Sequence, residues 1–208
     1  MSRYAQLAFT DPVRQVQAEQ GSADQNRRRL ECATGRPDPL GEKEMDFVRA
    51  STGFYMGTVG VTGWPYVQHR GGPPGFVQVL DEHTLAFADV RGNRQYVSTG
   101  NLRINDRAAL FFMDYVARKR LKVLGHARVT GADDEPELAD RLYDARTDGI
   151  VERLLVVDIE GLSWNCPKHI TQRWTEAEYG GELAALRARI TVLEQENTEL
   201  RQLTAVTR

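Results

Sequence analysis

The sequence predicts a mainly β domain with flanking helices, arranged as an antiparallel sheet or barrel and followed by a C-terminal helix with a coiled-coil pattern. From Phe54 onward, β-rich segments of about five to nine residues alternate with Gly, Pro, Asp or Asn turns, as in antiparallel β architectures. Within residues 180–205, apolar side chains recur in steps of three and four, which is the spacing of a coiled-coil seam.

Length and composition favour one globular domain with appendages. The chain has 208 residues, and its net charge of −2 argues against a general nucleic-acid binder. Cys32 and Cys166 stand too far apart for a CxxC motif and give no disulfide framework, which fits a reducing compartment. No stretch approaches the ~20 apolar residues that span a bilayer. We therefore expect a cytoplasmic protein that binds neither nucleic acid nor membrane.

Strand and turn patterns account for the β-rich part of the chain. We predict strands near residues 54–61, 65–70, 75–80, 84–89, 107–115, 120–130 and 151–159. The turn Thr62-Gly63-Trp64-Pro65 joins the first two strands, and Asp81-Glu82-His83 joins the third and fourth. Consecutive hairpins of this kind favour a closed β architecture.

Short helices are predicted around the strands. Apolar positions recur at helical spacing between Glu42 and Ala50, and Val97 to Asn101 fits a helix that crosses an opening of the barrel. The acidic segment 133–136 contains a Pro and fits a helix start. Residues 1–44 are rich in Gln, Arg and Gly, so we expect a polar N-terminal arm that a partner subunit could order.

Heptad positions can be assigned in the C-terminal helix, which we predict over 180–205. The seam consists of Leu183, Leu186, Ile190, Leu193, Asn197, Leu200 and Thr204. Leu186, Leu193 and Leu200 take d positions, whereas Ile190 and Asn197 take a positions. A buried Asn at an a position favours a parallel, in-register dimer at some cost in stability. About three heptads make a short zipper, so an amphipathic helix lying back on the barrel stays open as the alternative.

An Arg-rich turn carries the candidate chemistry. The residues presented by this turn and by the segment after it are Arg91, Asn93, Arg94, Gln95, Ser98 and Thr99. Arg94 can offer a planar fork to a phosphate dianion, while amide, hydroxyl and backbone N–H groups satisfy the remaining oxygens. On residue types alone, a solvated hairpin turn with arginines on the surface explains the same pattern.

Two further donor clusters accompany this turn. Gln68-His69-Arg70-Gly71 closes the second strand, and the Gly and Pro residues that follow allow backbone to approach a flat ligand. A basic turn from Ala117 to Lys122 begins a later strand, and a hairpin-folded sheet can bring the three clusters together. A lone His in a loop is more often solvated or hydrogen-bonded than catalytic, so the ligand role of His69 stays open.

Neither a metal site nor a hydrolase triad is indicated. His126 and His169 lack partners at metal-ligand spacing, apart from Cys166 three residues before His169. Ser98 and Ser163 lie in no GxSxG elbow. We expect no bound metal, and we expect Cys166 to be a packed thiol.

The order of several short patterns resembles a known family. The segments are "PYVQHRGG", "LAFADVRGNRQ", "NLRINDRAALFFMDY", "RLKVLGHARV" and "WNCPKHI". Together they resemble the pyridoxamine 5′-phosphate oxidase superfamily, specifically its predicted flavin-nucleotide-binding branch, over roughly residues 45–170. The resemblance implies a split β-barrel that binds FMN over 45–175. It also implies a homodimer with FMN sites at the subunit interface.

Site residues follow from the resemblance where the patterns align. Asn93 and Arg94 match the family's Arg-Lys phosphate pair, and Phe87 and Ala88 occupy its Tyr-Thr position beside the flavin. The implied cofactor-binding residues are Gln68, His69, Arg70, Gly71, Phe87, Ala88, Asp89, Asn93, Arg94, Gln95, Arg120 and Trp164.

Among these residues, Arg120 and Trp164 are implied to act from the other subunit or at the subunit interface. Gln68 marks a departure from the family. Arg120 falls near the family's Gln that contacts the cofactor from the other subunit, and Trp164 resembles its late interface Trp. Gln68 stands where the family oxidase has the first Arg of an Arg-x-Val-Leu-Leu-Lys strand, and that motif is absent here. Because the motif's Lys serves the oxidase's substrate, we do not expect pyridoxamine phosphate oxidation.

The resemblance therefore implies an FMN-binding flavoprotein that acts as an oxidoreductase on an unidentified small molecule. Arg70 or His69 would orient that substrate. Two alternatives stay open: a non-catalytic protein of the same fold that binds FMN, haem or the deazaflavin F420, and an assembly protein whose working part is the C-terminal zipper.

Overall fold

A computed structural model describes residues 2–31, 35–143, 149–164 and 168–206. The chain divides into two compact units. One is formed by Met1–Asp114 with Arg118–Lys168, and the other by Tyr115–Ala117 with His169–Arg208. Cys32 and Cys166 lie outside the described residues, so the expectation of a packed thiol stays a prediction.

Among the described residues of the first unit, seven antiparallel strands form one sheet. The strands are β1 (Gly53–Val59), β2 (Pro65–Gly71), β3 (Val77–Val79), β4 (Thr84–Val90), β5 (Arg107–Asp114), β6 (Lys119–Gly131) and β7 (Val151–Trp164). Their order in the sheet is β2-β1-β5-β6-β7-β4-β3. Each strand lies where turns and alternation predicted one, although β7 continues beyond its predicted end to Trp164.

The sheet curls around an apolar core. Phe54 on β1 lies 5.2 Å, centroid to centroid, from Phe87 on β4, although three strands separate β1 from β4 in the sheet. Phe112 on β5 stacks on Phe54 at 4.8 Å. In the described part of the chain no ladder joins the end strands β2 and β3, so the barrel is split, as the resemblance implied. The closed architecture expected from the hairpins alone is wrong, because the two end strands stay unpaired with each other.

Helices flank the barrel. They are α1 (Arg3–Ala8), α2 (Asp11–Glu19), α3 (Ala23–Glu31), α4 (Glu42–Ala50), α5 (Val97–Leu102), α6 (Pro136–Leu142) and α7 (Glu176–Val206). The predictions of α4, α5 and α6 are confirmed. Val48 of α4 is fully buried in the main core, and Asn101 of α5 donates from Nδ2 to Thr58 Oγ1 on β1 at 3.0 Å. Leu142 of α6 packs in a second apolar cluster with Leu154 of β7.

The N-terminal arm forms the three helices α1 to α3, and a buried carboxylate anchors the first of them. Asp38 accepts hydrogen bonds from the backbone N–H groups of Arg3 at 2.7 Å and Tyr4 at 3.0 Å. It also accepts one at 3.1 Å from the N–H of Leu162 on β7. Gly161 leaves room for α1, since a Cβ there would lie 2.6 Å from the nitrogen of Tyr4. Helices α2 and α3 contain no buried residue.

The second unit contains α7, which includes the helix predicted over 180–205. Within this unit Gln172 Nε2 donates to the Val116 carbonyl at 2.9 Å, and the Arg173 guanidinium lies 4.9 Å from the Tyr115 ring centroid. No helix in the described ranges has the length and apolar character needed to cross a membrane.

Candidate functional site

The Arg-rich turn after β4 has an unusual backbone. The N–H of Gln95 donates to Asn93 Oδ1 at 3.1 Å, so the Asn side chain itself closes the turn. Arg94 and Tyr96 adopt left-handed conformations, with φ of 61° and 54°. Such values are uncommon outside Gly and concentrate at functional sites. Helix α5 begins directly after Tyr96 and so fixes the far end of the turn.

Asp89 is the centre of an ion-pair cluster at the end of β4. It is buried, and its Oδ1 accepts a hydrogen bond from Arg70 Nη1 of β2. Its Oδ2 accepts from Arg153 Nε at 3.2 Å, because the β4–β7 register places Arg153 beside Asp89. β2 is one end strand of the sheet and β4 lies next to the other, so the Arg70–Asp89 pair bridges the split of the barrel.

A second carboxylate, Glu152, holds the outer side of this cluster. It accepts hydrogen bonds from Arg91 Nε at 2.7 Å and from the Tyr96 hydroxyl at 3.3 Å. The hydrogen bond from Arg91, reinforced by those from Tyr96 and Arg153, holds the pKa of Glu152 below its ordinary value. The Arg153 guanidinium lies over the Tyr96 ring, 4.4 Å from its centroid.

The arginines of the cluster keep their charge. Burial lowers the pKa of Arg153, but hydrogen bonds and attraction to Asp89 and Glu152 outweigh it and raise that pKa above its ordinary value. A hydrogen bond with Tyr96 is the main cause that raises the pKa of Arg94. Both guanidinium groups therefore stay cationic across the physiological pH range.

A small cavity of 40 Å³ lies among these side chains. Its charged lining residues are Arg70, Arg94, Arg153 and Asp89. Ser98 and Gln68 also line it, and the Ser98 hydroxyl donates to Gln68 Oε1 at 3.2 Å. At 40 Å³ the cavity is far below the range of about 300–1,000 Å³ typical of sites that enclose a whole small molecule, so it would hold one group of a larger ligand. An excess of guanidinium groups with hydroxyl and amide donors suits an oxyanion.

Arg70 has an unused donor beside this cavity. Its Nε is buried and has no hydrogen-bond partner among the described residues, whereas its Nη1 is held by Asp89. A buried donor without a partner costs about 1–3 kcal/mol. The fit to a phosphate therefore rests on the guanidinium groups that line the cavity and not on this buried atom.

Two larger cavities lie elsewhere in the first unit. One of 530 Å³ shares Thr99 and Arg153 with the small cavity, and its volume falls in the range of about 300–1,000 Å³ typical of small-molecule sites. Another of 540 Å³ lies beside α1 against parts of β1, β5 and β6, and no residue of the predicted cofactor set lines it.

Several of the predicted cofactor-binding residues come together in one copy of the chain. The predicted residues that line the small cavity are Gln68, Arg70, Asp89, Asn93 and Arg94. Gln95 belongs to the same turn, and its side chain is exposed. These residues come from β2, β4 and the following turn, which the curled sheet brings to one place.

Other predicted residues lie on different faces of the same strands. His69 is exposed, and its ring packs edge-on against Tyr55 at 5.4 Å, on the face of β2 opposite Arg70. Gly71 ends β2 beyond the cavity. Phe87 lies in the main core, and Ala88 packs against the second apolar cluster on the other side of β4. The side chains of these four residues do not line the small cavity.

Arg120 and Trp164 lie where β6 begins and β7 ends. Trp164 pairs with Leu121 where β7 ends and β6 begins. Its indole donates to Glu44, and its ring packs edge-on against Phe47 at 4.8 Å. The strand pairings Trp164↔Leu121, Leu121↔Phe112, Phe112↔Phe54 and Phe54↔Arg70 place Trp164 in one cross-strand row with Arg70, four strands away across the sheet. Neither Arg120 nor Trp164 is among the residues that line the cavity in one copy.

Three residues of the cluster were not predicted from the sequence, namely Tyr96, Glu152 and Arg153. The sequence contains a local signal for Glu152 and Arg153. This charged pair directly precedes the apolar run of β7, where the strand itself does not require charges. Their partner Asp89 is 64 residues away from Arg153, and only the register of β4 with β7 joins them.

Comparison with known sequences identifies the family of the chain. A profile described as pyridoxamine 5′-phosphate oxidase matches residues 40–163, which is more than half of the chain. The chain belongs to this family. The match spans the cavity-lining residues and all seven strands except the last residue of β7, so the split-barrel prediction is confirmed together with the superfamily. A search of curated proteins found no match.

Solved structures with a similar fold are distant in sequence. HupZ of Group A Streptococcus is 12% identical with a TM-score of 0.47, over 65% of this chain and 99% of that one. A Clostridium acetobutylicum protein related to general stress protein 26 is 16% identical with a TM-score of 0.44, over 64% and 93%. An F420 reductase is 19% identical with a TM-score of 0.40, over 60% and 98%. Likeness this distant carries no argument about ligand or activity.

Metal-ligating side chains are dispersed. Within the described ranges, no group of three or more His, Cys, Asp or Glu residues lies close enough together to hold a metal ion.

Proposed function

We propose that this family member binds FMN, with the phosphate in the small cavity at the end of β4, and acts as an oxidoreductase on an unidentified small molecule. The observation that carries the proposal is the cationic cavity itself, which Arg70, Arg94 and Arg153 line against a single carboxylate, Asp89. The family resemblance implies FMN as the phosphate-bearing ligand. The small volume of the cavity suits one group of a ligand and not a whole nucleotide.

Each lining residue has a distinct role in this proposal. Arg94 would offer a planar fork to the phosphate, and the Asn93 side-chain amide would donate to a further oxygen. Asp89 would act as a positioning residue, because it holds both Arg70 and Arg153 in place. FMN, when bound, would supply the redox chemistry. The chain would supply phosphate anchoring and orientation.

Arg70 and His69, the two candidates for orienting the substrate, take different roles in this proposal. Arg70 lines the cavity and His69 points to the opposite face of β2, so the two cannot contact one ligand from the same copy. Arg70 is engaged by Asp89 at the phosphate end, which makes it a cofactor ligand in our proposal. His69 would remain available to a substrate that approaches from the outer face.

We further propose that a homodimer completes the site, with Arg120 and Trp164 contributed by the second copy. Neither residue lines the cavity in one copy, and the resemblance implies that both act at the subunit interface.

The colour of the purified protein tests the identity of the cofactor. A yellow protein whose flavin absorbance bleaches with dithionite, and which releases FMN identified by mass spectrometry, would support the proposal. A Soret band would show haem, and release of F420 would show a deazaflavin; either result would overturn FMN. A colourless protein that takes up no added FMN would overturn cofactor binding altogether. If FMN is present, bleaching by a panel of reduced small molecules would separate an oxidoreductase from a storage protein.

A further inference from the structure

Helix α7 exposes an apolar stripe that the polar residue Asn197 interrupts. The exposed fractions of the described seam residues are 38% for Leu183, 58% for Leu186, 53% for Ile190, 46% for Leu193 and 62% for Leu200. These side chains share one face because the steps between them alternate between three and four residues. A helix face with several large apolar side chains exposed near one another marks an interaction surface.

Charges flank the stripe with alternating sign. The residues at the e positions are Arg187, Glu194 and Arg201, and those at the g positions include Arg189 and Glu196. All five are exposed. In a parallel two-stranded coiled coil, a g residue meets the e residue five positions later in the other strand. Arg189 would then meet Glu194 of the second copy, and Glu196 would meet its Arg201, so every such pair is attractive.

The same alternation opposes a shifted register. Sliding one strand by a heptad places Arg189 across from Arg187 or Arg201 of the second copy, which sets like charges together. In the unshifted register, Asn197 at position a meets Asn197 of the second copy, and the two side-chain amides can hydrogen-bond. An antiparallel pair with full overlap instead places each Asn197 across from Leu186, which leaves an amide without a partner in an apolar layer.

We propose that α7 pairs with α7 of a second copy of this chain as a parallel, in-register, two-stranded coiled coil. The occupant of the stripe is a second copy because the flanking charges complement themselves in one register. Ile190 at an a position with Leu at the d positions favours two strands over three or four. The inference rests on α7 alone and does not depend on FMN binding.

Cysteine cross-linking of the full-length chain tests the orientation and register. All variants carry Cys32→Ser and Cys166→Ser, so that the introduced thiol is the one that reacts. Leu186→Cys puts two thiols across the parallel interface, at a d position whose spacing suits a disulfide. Ala188→Cys is the matched control, since it sits two residues away at the outward f position.

Mild oxidation should convert Leu186→Cys to covalent dimers with at least about fivefold higher yield than Ala188→Cys, because only the first pair meets disulfide geometry. Equal yields from the two variants would overturn the proposal. Preferential cross-linking between Leu186→Cys and Asn197→Cys chains in a mixture would also overturn it, because that pair is adjacent only in the antiparallel arrangement.

Charge reversal provides a second test in the Leu186→Cys background. Glu196→Arg and Arg201→Glu should each lower the cross-linking yield, because each places like charges across the parallel interface. Mixing the two variants should restore the yield as heterodimers, in which every one of these pairs is attractive again. Unchanged yields in both single variants, or no recovery in the mixture, would contradict the parallel register.

Discussion

At the scale of single residues, Asp89 organises the candidate site. Its carboxylate is buried and binds two arginines that arrive from strands at different places in the sheet, Arg70 from β2 and Arg153 from β7. A guanidinium has five N–H donors, so each arginine keeps donors for a ligand after binding Asp89. The carboxylate thus holds the cationic groups in place and limits their mutual repulsion while the cavity stays cationic.

Asp89→Ala should strongly destabilise the protein. The change leaves Arg70 and Arg153 without their central partner, and breaking a buried ion pair costs about 3–5 kcal/mol. Denaturant unfolding monitored by circular dichroism measures the change. Asp24→Ala is a matched control, because Asp24 pairs with Arg27 in the open at 89% side-chain exposure, where such pairs contribute less than about 1 kcal/mol. Equal losses in the two variants would contradict the organising role of Asp89.

Arg94→Ala should weaken FMN binding more than Arg91→Ala. Arg94 lines the cavity, whereas Arg91 binds Glu152 outside it. Loss of a charge-assisted hydrogen bond worth about 1.5–3 kcal/mol predicts a Kd for FMN that is roughly 10- to 100-fold higher in Arg94→Ala. Flavin fluorescence titration gives both constants. Similar constants for the two variants would show that the turn attracts FMN only through its overall charge.

At the scale of secondary-structure elements, the site depends on which strands meet. Turns and alternation located each strand because those signals are local. The clustering of Arg70, Asp89 and Arg153 was not predictable in the same way. It needs β2 and β4 to face each other across the split between the end strands, and it needs the β4–β7 register. The N-terminal helices were missed for the same reason: their anchor, Asp38, binds Leu162 across 124 residues of sequence. The Asn93-Arg94 turn was found because its residue types and its place after an apolar strand are local features.

The start of β7 gives a pH-dependent contribution to stability through Glu152. Its pKa is lowered in the folded protein, so its stabilising effect is fully present above the unfolded value of about 4.3 and is lost as the pH falls through the lower folded value. Wild type should therefore melt at a higher temperature than Glu152→Gln at pH 7. The difference should shrink steadily below about pH 4.3. A difference in Tm that stays constant from neutral to acid pH would contradict this account.

At the scale of the whole molecule, we propose that two copies of the chain share the site. A cavity this small leaves the rest of FMN to be bound elsewhere, and Arg120 and Trp164 do not line it in one copy. An isologous dimer supplies both missing residues twice, once for each site. The coiled coil proposed for α7 would join the same two copies and raise their effective concentration.

Complementation between two defective variants tests a shared site. Arg94→Ala and Arg120→Ala should each bind FMN weakly, but co-expression should restore wild-type affinity in about a quarter of the sites, because half of randomly assorted dimers carry one intact site out of two. Titration of the mixed preparation counts the tight sites. If no tight site appears, Arg94 and Arg120 do not act from different copies on one ligand.

The account as a whole rests on recognition of a phosphate by the cavity among Arg70, Arg94 and Arg153. Isothermal titration of the cofactor-free protein with FMN and with riboflavin, which differ only in the phosphate group, measures this most directly. Charge-assisted hydrogen bonds worth about 1.5–3 kcal/mol each predict that FMN binds at least roughly tenfold more tightly than riboflavin. Equal affinity for the two flavins, or binding of neither, would contradict the account.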